Sequence, residues 1–297
     1  MAKCTLFYVG KMLSVQERWD STLPRAKICD INNMRICNCE GTVQLRKYQN
    51  NRTEVIYMIR DIMDLHTHTI ASGHAYNTIL EMTQAAKDRG LELLGITEHG
   101  PAMKGSCQTI YFQNVKVIPR ERYGVTTLFG VELNIMDEDG RVDLPDELLP
   151  AMDVCVASLH IPCFPPRSLE ENTRAYINAM KNPYVNIIGH PDDPRYPIDL
   201  RAVVEAAREH HVLLEMNNSS LAPTSFRKAT TEGYLEFLEL CKMYDQPILI
   251  GSDAHVDIDV GNHGYVADIL ELAQFPKRLI MNTEVEKVKP YLNYYNR

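Results

Sequence analysis

The amino-acid sequence predicts an α/β protein in which seven parallel strands form a distorted (β/α)7 TIM-like barrel. Two observations predict this fold. From residue 61 onward, short and almost continuously apolar segments alternate with amphipathic segments, which is the pattern of a parallel sheet covered by helices. Histidines and carboxylates also stand at the ends of six apolar segments, and only a ring of strands brings so many strand ends to one centre.

The strands define the barrel and the helices cover it. The segments predicted as strands are 61–68, 91–97, 126–134, 153–160, 185–189, 212–217 and 247–252. Helices are predicted at 79–89, 169–181, 200–210 and 232–244, with a further strand near residue 279 and a last helix from residue 284. In the first helix, Ile79, Met82 and Ala86 share one face, so they can pack on the sheet. Thr78 can cap its start and Gly90 can end it.

The first 60 residues lack this alternation. They hold half of the cysteines and the only tryptophan, Trp19, in sequence of mixed polarity. We therefore divide the chain into an N-terminal extension, residues 1–60, and a barrel, residues 61–297. The extension is either a small domain or an accessory or non-native leader. We favour the leader, in which case the working protein would begin near Met58 or Met63.

Composition excludes some functional classes. The chain of 297 residues has 31 basic and 39 acidic residues, and this formal net charge of -8 argues against nucleic acid as the main partner. No apolar stretch approaches the roughly 20 residues needed to span a bilayer, and the apolar run at the N-terminus is too short for a secretory signal. We therefore predict that the protein is cytoplasmic and has no membrane partner.

Seven of the ten histidines lie in five short motifs, each of which ends a strand-forming segment. The motifs are Asp64-Leu65-His66-Thr67-His68 with His74 beyond it, Thr97-Glu98-His99-Gly100, Ser158-Leu159-His160, Ile188-Gly189-His190-Pro191 and Gly251-Ser252-Asp253-Ala254-His255. Glu132, in Gly130-Val131-Glu132-Leu133-Asn134, adds a carboxylate in a similar setting. The other three histidines, His210, His211 and His263, have no such setting and are predicted to be surface or loop residues.

The joint pattern predicts a multinuclear metal site. Alternate side chains of a strand point the same way, so His66 and His68 can reach one centre, as can Asp253 and His255. Each histidine alone would be interpreted as a hydrogen-bonded structural residue. Together, neutral imidazoles and a few carboxylates suit zinc, iron or manganese, and they would be costly to bury without a metal.

At these motifs the chain resembles the PHP (polymerase and histidinol phosphatase) family, and more closely its YcdX-type branch of phosphatases. The resemblance covers residue 61 to the C-terminus. It also rests on Ala71-Ser72-Gly73-His74-Ala75-Tyr76 and on Glu215-Met216-Asn217-Asn218-Ser219-Ser220. It implies a distorted seven-stranded barrel of PHP type that holds about three Zn²⁺ ions per chain, with Mn²⁺ or Fe²⁺ as the alternative ions.

The resemblance also divides the ligands among three metals. The first would take His66, His68, Glu132 and Asp253, the second would share Glu132 and add His160 and His190, and the third would take His74, His99 and His255. One residue departs from the family. Glu98 stands where the family usually has aspartate, and its added methylene puts the orientation of His99 in doubt.

Clustered divalent ions lower the pKa of a bound water to near 7 and neutralise charge on a phosphoryl group. The sequence therefore predicts a metal-dependent phosphatase that hydrolyses a small phosphomonoester by metal-activated hydroxide. Proton transfer is predicted to be a second role of Asp253, or else the role of a nearby histidine. Arg195, beyond His190, either holds the phosphate or is a solvated loop arginine. The predicted partner is a small phosphorylated substrate, and the PHP resemblance implies a homo-oligomer.

Two alternatives stay open. PHP modules also act as nucleotide phosphodiesterases or exonucleases, and some have become metal-binding regulatory modules without turnover. A basic channel lined by aromatic residues would favour the first alternative, and loss of ligands would favour the second. All nine ligand positions are filled here. The chain contains no Gly-x-Ser-x-Gly elbow and no phosphate-binding P-loop. The sequence therefore lacks the motifs that a serine hydrolase or a nucleotide triphosphatase requires.

Overall fold

The computed structural model describes residues 61–297 with their side chains and, before them, the backbone of five strands. These are β1 Cys4–Tyr8, β2 Lys11–Trp19, β3 Lys27–Ile31, β4 Met34–Asn38 and β5 Arg46–Lys47, and they pair antiparallel in sequence order. The chain divides into two compact units, Met1–Met58 and Ile59–Arg297. Met58 and the side chain of Trp19 lie outside the described residues, so the interpretation of residues 1–60 as a leader stays a prediction.

Seven parallel strands form a nearly closed barrel in the second unit. They are β6 Met63–Thr67, β7 Leu93–His99, β9 Val125–Asn134, β10 Cys155–Ser158, β11 Ile187–Ile188, β12 Leu213–Asn217 and β13 Ile248–Gly251. Each strand pairs with the next in this order, and the short β8, Glu121–Arg122, pairs antiparallel with β9. Nearly all residues of the seven parallel strands are buried, as expected where helices cover a parallel sheet. The predicted seven-stranded α/β barrel is confirmed.

Two sets of contacts join β6 to β13 and so close the ring. At the carboxyl end, Asp253 N–H donates to His66 O (2.9 Å) and His68 N–H donates to Ala254 O (2.8 Å). At the opposite end, the side chain of Asn282 takes the place of a strand ladder. Its amide donates to Met63 O (3.1 Å) and to Ile250 O (2.9 Å), and it accepts from Ile250 N (2.7 Å).

Seven α-helices occur in residues 61–297. They are α1 Ile79–Asp88, α2 Thr109–Asn114, α3 Leu169–Met180, α4 Leu200–His210, α5 Thr231–Met243, α6 Gly264–Leu272 and α7 Val285–Val288. Capping boxes begin two of them, with Thr78 and Glu81 at α1 and Ser168 and Glu171 at α3. The four predicted helices are confirmed. No helix in residues 61–297 is both long and apolar enough to cross a membrane.

Two apolar clusters fill the barrel domain. The larger one joins the helices to the outer faces of the strands. The smaller one takes Leu93, Leu128, Val156, Leu213 and Leu249 from five different strands and includes no residue of α1 to α6, so it lies inside the barrel. Residues of the C-terminal segment pack on the inner cluster and cover that end of the barrel. The polar strand ends are therefore collected at the other end.

Of two predictions near the C-terminus, the strand near residue 279 is wrong and the last helix is confirmed. No strand forms near residue 279: Lys277–Leu279 is a 3₁₀ helix, and only Ile280 makes a single bridge to Ile248. The apolar segment lies beside β13, as a strand would. The side chain of Asn282, however, makes the hydrogen bonds to β13 there. The last helix begins at Val285 and is only four residues long. Helices α2 and α6 were not predicted.

Candidate metal centre

Glu132, in β9, lies at the centre of the histidine cluster and is fully buried. Its Oε1 atom lies within 3.3 Å of three imidazole Nε2 atoms, those of His66 (3.3 Å), His160 (3.2 Å) and His190 (3.0 Å). Its Oε2 atom lies 2.6 Å from His99 Nδ1 and 3.5 Å from His68 Nε2. One carboxylate thus faces five histidines, which come from the ends of β6, β7, β10 and β11.

Asp253, two residues beyond β13, links this cluster to an arginine. Its Oδ1 atom lies 3.3 Å from His68 Nε2 and 3.7 Å from His66 Nε2. Its Oδ2 atom accepts a hydrogen bond from Arg227 NH1 at 2.8 Å. Arg227 is only 6% exposed, and its Nε atom has no hydrogen-bond partner. A buried guanidinium therefore stands next to the histidines with one N–H donor unused.

Three histidines form a more accessible group beside this cluster. His74 Nε2 lies 3.2 Å from His99 Nε2 and 3.0 Å from His255 Nε2. His74 is exposed and His255 is partly exposed, whereas His99 is buried. His99 belongs to both groups, because its other ring nitrogen faces Glu132. The structure thus brings all nine predicted ligand residues together in one continuous cluster.

The free imidazole nitrogens fit a divalent metal. In His66, His68 and His160, Nδ1 is hydrogen-bonded, to Glu215 Oε1 (2.6 Å), Ser72 Oγ (3.1 Å) and Asn134 Oδ1 (2.7 Å) respectively. Their Nε2 atoms are buried without a hydrogen-bond partner. A buried polar atom without a partner is costly, and a partner at Nδ1 that directs the lone pair of Nε2 inward is typical of metal-binding histidines.

Two carboxylates that were not predicted as site residues support the ring orientations. Glu215, in β12, contacts His66 through Oε1 and accepts His190 N–H through Oε2 at 2.7 Å. Its position requires Gly251, because a Cβ there would lie 2.0 Å from Glu215 Oε1. Glu98 accepts from Ser72 Oγ at 2.5 Å, and Ser72 in turn accepts from His99 N–H at 3.0 Å.

Glu98 therefore acts on His99 through the main chain. Its carboxylate also accepts from the backbone N–H of Thr69 at 3.1 Å and from the Thr69 hydroxyl. The longer side chain thus reaches across to the turn that follows β6. Any effect of glutamate in place of aspartate falls on this turn and on Ser72, which contacts the His68 ring.

Opposite charges in the cluster offset the effect of burial on the pKa values of Glu132, Asp253 and His66. Burial would raise the pKa values of Glu132 and Asp253, but the nearby histidines hold the pKa of Glu132 well below its usual range, and Arg227 does the same for Asp253. Burial lowers the pKa of His68 well below its usual value. Burial also opposes charge on His66, but Glu215 and Glu132 raise its pKa well above the usual value. A metal at His66 Nε2 would have to displace a proton.

Two residues of the cluster have left-handed backbone angles that non-glycine residues rarely adopt. The φ angle is 30° at His190 and 55° at Asp253. Such angles cost roughly 1–3 kcal/mol each and persist where the surrounding structure imposes them, often at functional sites. Here Glu215 accepts the His190 N–H, and the Asp253 N–H is tied to His66 O. The fold thus fixes the backbone at both positions.

Arg195 lies beside the cluster but has its own partner. Its Nε donates to Asp193 Oδ1 at 2.9 Å, and its NH2 group contacts Asp193 Oδ2. Its guanidinium lies over the Phe226 ring. Arg227 was missed by sequence reasoning because no motif marked it; the one available signal was an arginine in the segment after β12, which is a strand that ends in the site.

His263 was predicted to be a surface or loop residue; it lies in the loop before α6, but it is buried. It is 7% exposed, its Nδ1 forms a short ion pair with Asp61, and its Nε2 lies 3.8 Å from Asp64 Oδ1. The sequence could not reveal this because Asp61 and His263 are 202 positions apart. Burial disfavours the imidazolium, but Asp61 and Asp64 raise the pKa of His263 to about 10.

Replacing His263 by Gln is expected to lower the free energy of unfolding by about 3–5 kcal/mol near neutral pH, because one partner of a buried ion pair is removed. The folded-state pKa lies above the unfolded value of about 6.5. The stabilisation is therefore present below about pH 6.5 and is lost as pH rises toward 10. Denaturant unfolding of the metal-free protein from pH 6 to 10 tests this. His210→Gln is the control, and an unchanged pH slope in His263→Gln would contradict the prediction.

The PHP domain family matches residues 64–222 of the chain. The chain belongs to this family. A protein of Clostridium novyi described as a "Probable phosphatase" is 46% identical over 231 residues, which are 78% of this chain and 94% of that protein. A protein of Caldanaerobacter subterraneus with the same description is 48% identical over 235 residues, 79% of this chain and 92% of that protein. The predicted family is confirmed.

Two solved structures share the fold of this PHP chain. One is the histidinol phosphate phosphatase of Lactococcus lactis, determined with zinc, L-histidinol and phosphate; its TM-score is 0.51 at 19% identity, covering 73% of this chain and 95% of that one. The other is described as a histidinol phosphatase of Listeria monocytogenes; its TM-score is 0.50 at 21% identity, covering 69% of this chain and 99% of that one.

Proposed function

We propose that this chain is a metal-dependent phosphomonoesterase with a trinuclear, zinc-binding centre. The proposed ligands are His66, His68, His74, His99, Glu132, His160, His190, Asp253 and His255. The observation that carries the proposal is the convergence of six histidines on two buried carboxylates, with unpartnered Nε2 atoms at three of them and with the seventh histidine, His74, against His99 and His255. Membership of the PHP family, together with relatives described as phosphatases, confirms the predicted class.

Overlapping groups of donor atoms support more than one metal. Three sets of three residues each offer one ligand atom apiece within 4.8 Å of the others: His66, His68 and Asp253; His99, Glu132 and His160; His68, His99 and His255. The three sets together contain seven different residues, more than the four donors that a zinc ion usually takes, so one ion could not serve all of them. Imidazole and carboxylate donors suit zinc, and also manganese or iron. The lactococcal neighbour, which was determined with zinc, favours zinc.

The group formed by His74, His99 and His255 is the most exposed, so we expect the metal bound there to be lost first. Bound divalent ions would lower the pKa of a coordinated water and neutralise charge on a phosphoryl group. The protein's own contribution is to orient and to bind. Arg227 holds Asp253 through NH1, and its Nε atom lies 3.9 Å from Asp193 Oδ2 but makes no hydrogen bond; an N–H donor of arginine suits a phosphate oxygen. Burial opposes the charge of Asp253, but Arg227 and His66 hold the pKa of its carboxyl well below the usual range, which disfavours Asp253 as a proton donor.

Monoester hydrolysis is favoured over diester hydrolysis by the charges around the centre. Arg227 and Arg195 both lie beside the cluster, and each is paired with a carboxylate. A nuclease needs a basic channel with aromatic residues for the flanking nucleotides. Because each arginine is paired with a carboxylate, the two together provide little attraction for a polyanion. We therefore do not expect nucleic acid as a partner, and the cytoplasmic location and the homo-oligomer remain predictions.

We expect kcat/KM for a small phosphomonoester to exceed that for its diester at least about tenfold, which is roughly 1.4 kcal/mol at the transition state. The test compares p-nitrophenyl phosphate, bis-p-nitrophenyl phosphate and a short single-stranded oligonucleotide after metal reconstitution. Elemental analysis of the same samples should find up to about three ions per chain. Preference for the diester or the oligonucleotide would favour a phosphodiesterase, and no turnover of any substrate would favour a regulatory module.

A further inference from the structure

Asp143, in the loop between β9 and β10, reaches back toward one histidine of the centre. Its carboxylate accepts three N–H groups: the Ala102 backbone (2.8 Å), the Asn134 backbone (2.9 Å) and Asn134 Nδ2 (2.6 Å). Asn134 is the last residue of β9, and its Oδ1 atom lies 2.7 Å from His160 Nδ1. Asp143 is therefore two hydrogen bonds away from the His160 ring.

The chemistry of the amide fixes its orientation. Both carboxylate oxygens of Asp143 accept backbone N–H groups, so the end of the Asn134 amide that faces this acceptor is its NH₂ group. The same NH₂ group points to Gly100 O at 3.4 Å. The oxygen of the amide therefore faces His160 and can only accept. His160 must carry its proton on Nδ1, which leaves the lone pair of Nε2 directed toward Glu132, 3.2 Å away.

Packing holds Asp143 in this position. A Cβ at Gly100 would lie 2.3 Å from Asp143 Oδ1 and 2.4 Å from Oδ2, so only glycine leaves room for the carboxylate. Burial raises the pKa of the Asp143 carboxyl, and its three N–H donors oppose that shift. The partly buried carboxylate thus holds the Asn134 side chain together with two backbone N–H groups.

We propose that Asp143 is a positioning residue that acts through the amide of Asn134 to hold His160 in the tautomer that binds a divalent metal. This inference rests on the proposed function only where it names a metal as the partner of Nε2. The tautomer itself is a property of the metal-free protein. A partner of this kind typically changes metal affinity 10–100-fold when it is removed.

Asp143→Asn tests the proposal with almost no change of shape. The new amide can donate to Asn134 Oδ1, so Asn134 no longer has to present its oxygen to His160. We expect two results. In ¹⁵N NMR of the metal-free variant, His160 loses the Nδ1-protonated form that dominates in the wild type. In competition with a chelator, zinc bound at the site that contains His160 is held about 10–100-fold more weakly.

Asp137→Asn is the matched control, because Asp137 lies in the same loop. It accepts the backbone N–H groups of Asp139 (3.1 Å) and Arg141 (3.2 Å) but contacts no residue of the cluster. Neither measurement should change in this variant. Gly100→Ala is a second test that keeps the carboxylate and fills its place, and it should reproduce both changes. Gly264→Ala is its control, since a Cβ there meets nothing closer than 3.7 Å.

An unchanged His160 tautomer in both Asp143→Asn and Gly100→Ala would overturn the proposal, even if activity fell, because Asp143 would then only stabilise its loop. A changed tautomer with unchanged zinc affinity would also overturn it. Failure of the proposed function has a different signature: the wild type would take up no divalent metal. The tautomer measurement would still decide whether Asp143 positions His160.

Discussion

Replacing Glu132 by Gln is expected to lower kcat/KM at least about 1,000-fold, which is roughly 4 kcal/mol at the transition state. Both oxygens of Glu132 face imidazole nitrogens: Oε1 faces His66, and Oε2 faces His68 and His99. The side chain can therefore contact two of the proposed metal ions. Glutamine replaces one oxygen by an NH₂ group, which cannot bind a cation. The variant should also hold fewer metal ions per chain than the wild type, as measured by elemental analysis.

Glu209→Gln is a suitable control, because Glu209 is an exposed residue of α4 away from the strand ends. Its activity and metal content should equal those of the wild type. Thermal unfolding with and without added zinc separates binding from folding. The wild type should gain stability from zinc by mass action, and Glu132→Gln should gain much less. Activity within tenfold of the wild type, or an undiminished metal content, would contradict a bridging role for Glu132.

The fold could be predicted from the sequence because its strands are buried on both faces and its helices are amphipathic. These properties depend on neighbouring residues, so a pattern such as Ile79, Met82 and Ala86 identifies α1 directly. The prediction of a strand near residue 279 failed for the opposite reason. Its apolar run is local, whereas the hydrogen bonds of Asn282 go to Met63 and Ile250, more than 30 positions away.

The candidate ligands could also be found from the sequence, because each one stands at a strand end and strand ends meet at one face of a barrel. Their supporting partners could not. Glu215 and Asn134 are polar residues on strands, and the sequence does not tell a carboxylate that binds a metal from one that orients a histidine. Arg227 and Asp143 lie in loops, whose paths depend on the packing of the whole domain. These residues were recognised only through distances in the structure.

The choice between the two arginines beside the cluster can be settled by matched substitutions. Arg227→Lys keeps a positive charge next to Asp253 but loses the Nε donor and the planar fork of the guanidinium. We expect kcat/KM for a phosphomonoester to fall about 100-fold, roughly 2.7 kcal/mol. The inhibition constant of inorganic phosphate should rise by a similar factor, because the lost donor would contact the phosphate itself.

Arg195→Lys is the control, because Arg195 is already held by Asp193 and lies over Phe226. Its kcat/KM and its inhibition by phosphate should stay within about threefold of the wild type. A larger effect at Arg195 than at Arg227 would instead support the sequence-based prediction that Arg195 holds the phosphate. Metal content must be measured in both variants, since Arg227 also contacts the proposed ligand Asp253. Loss of metal in Arg227→Lys would show that it acts through Asp253, whereas weaker phosphate inhibition at full metal content would assign Arg227 to the substrate.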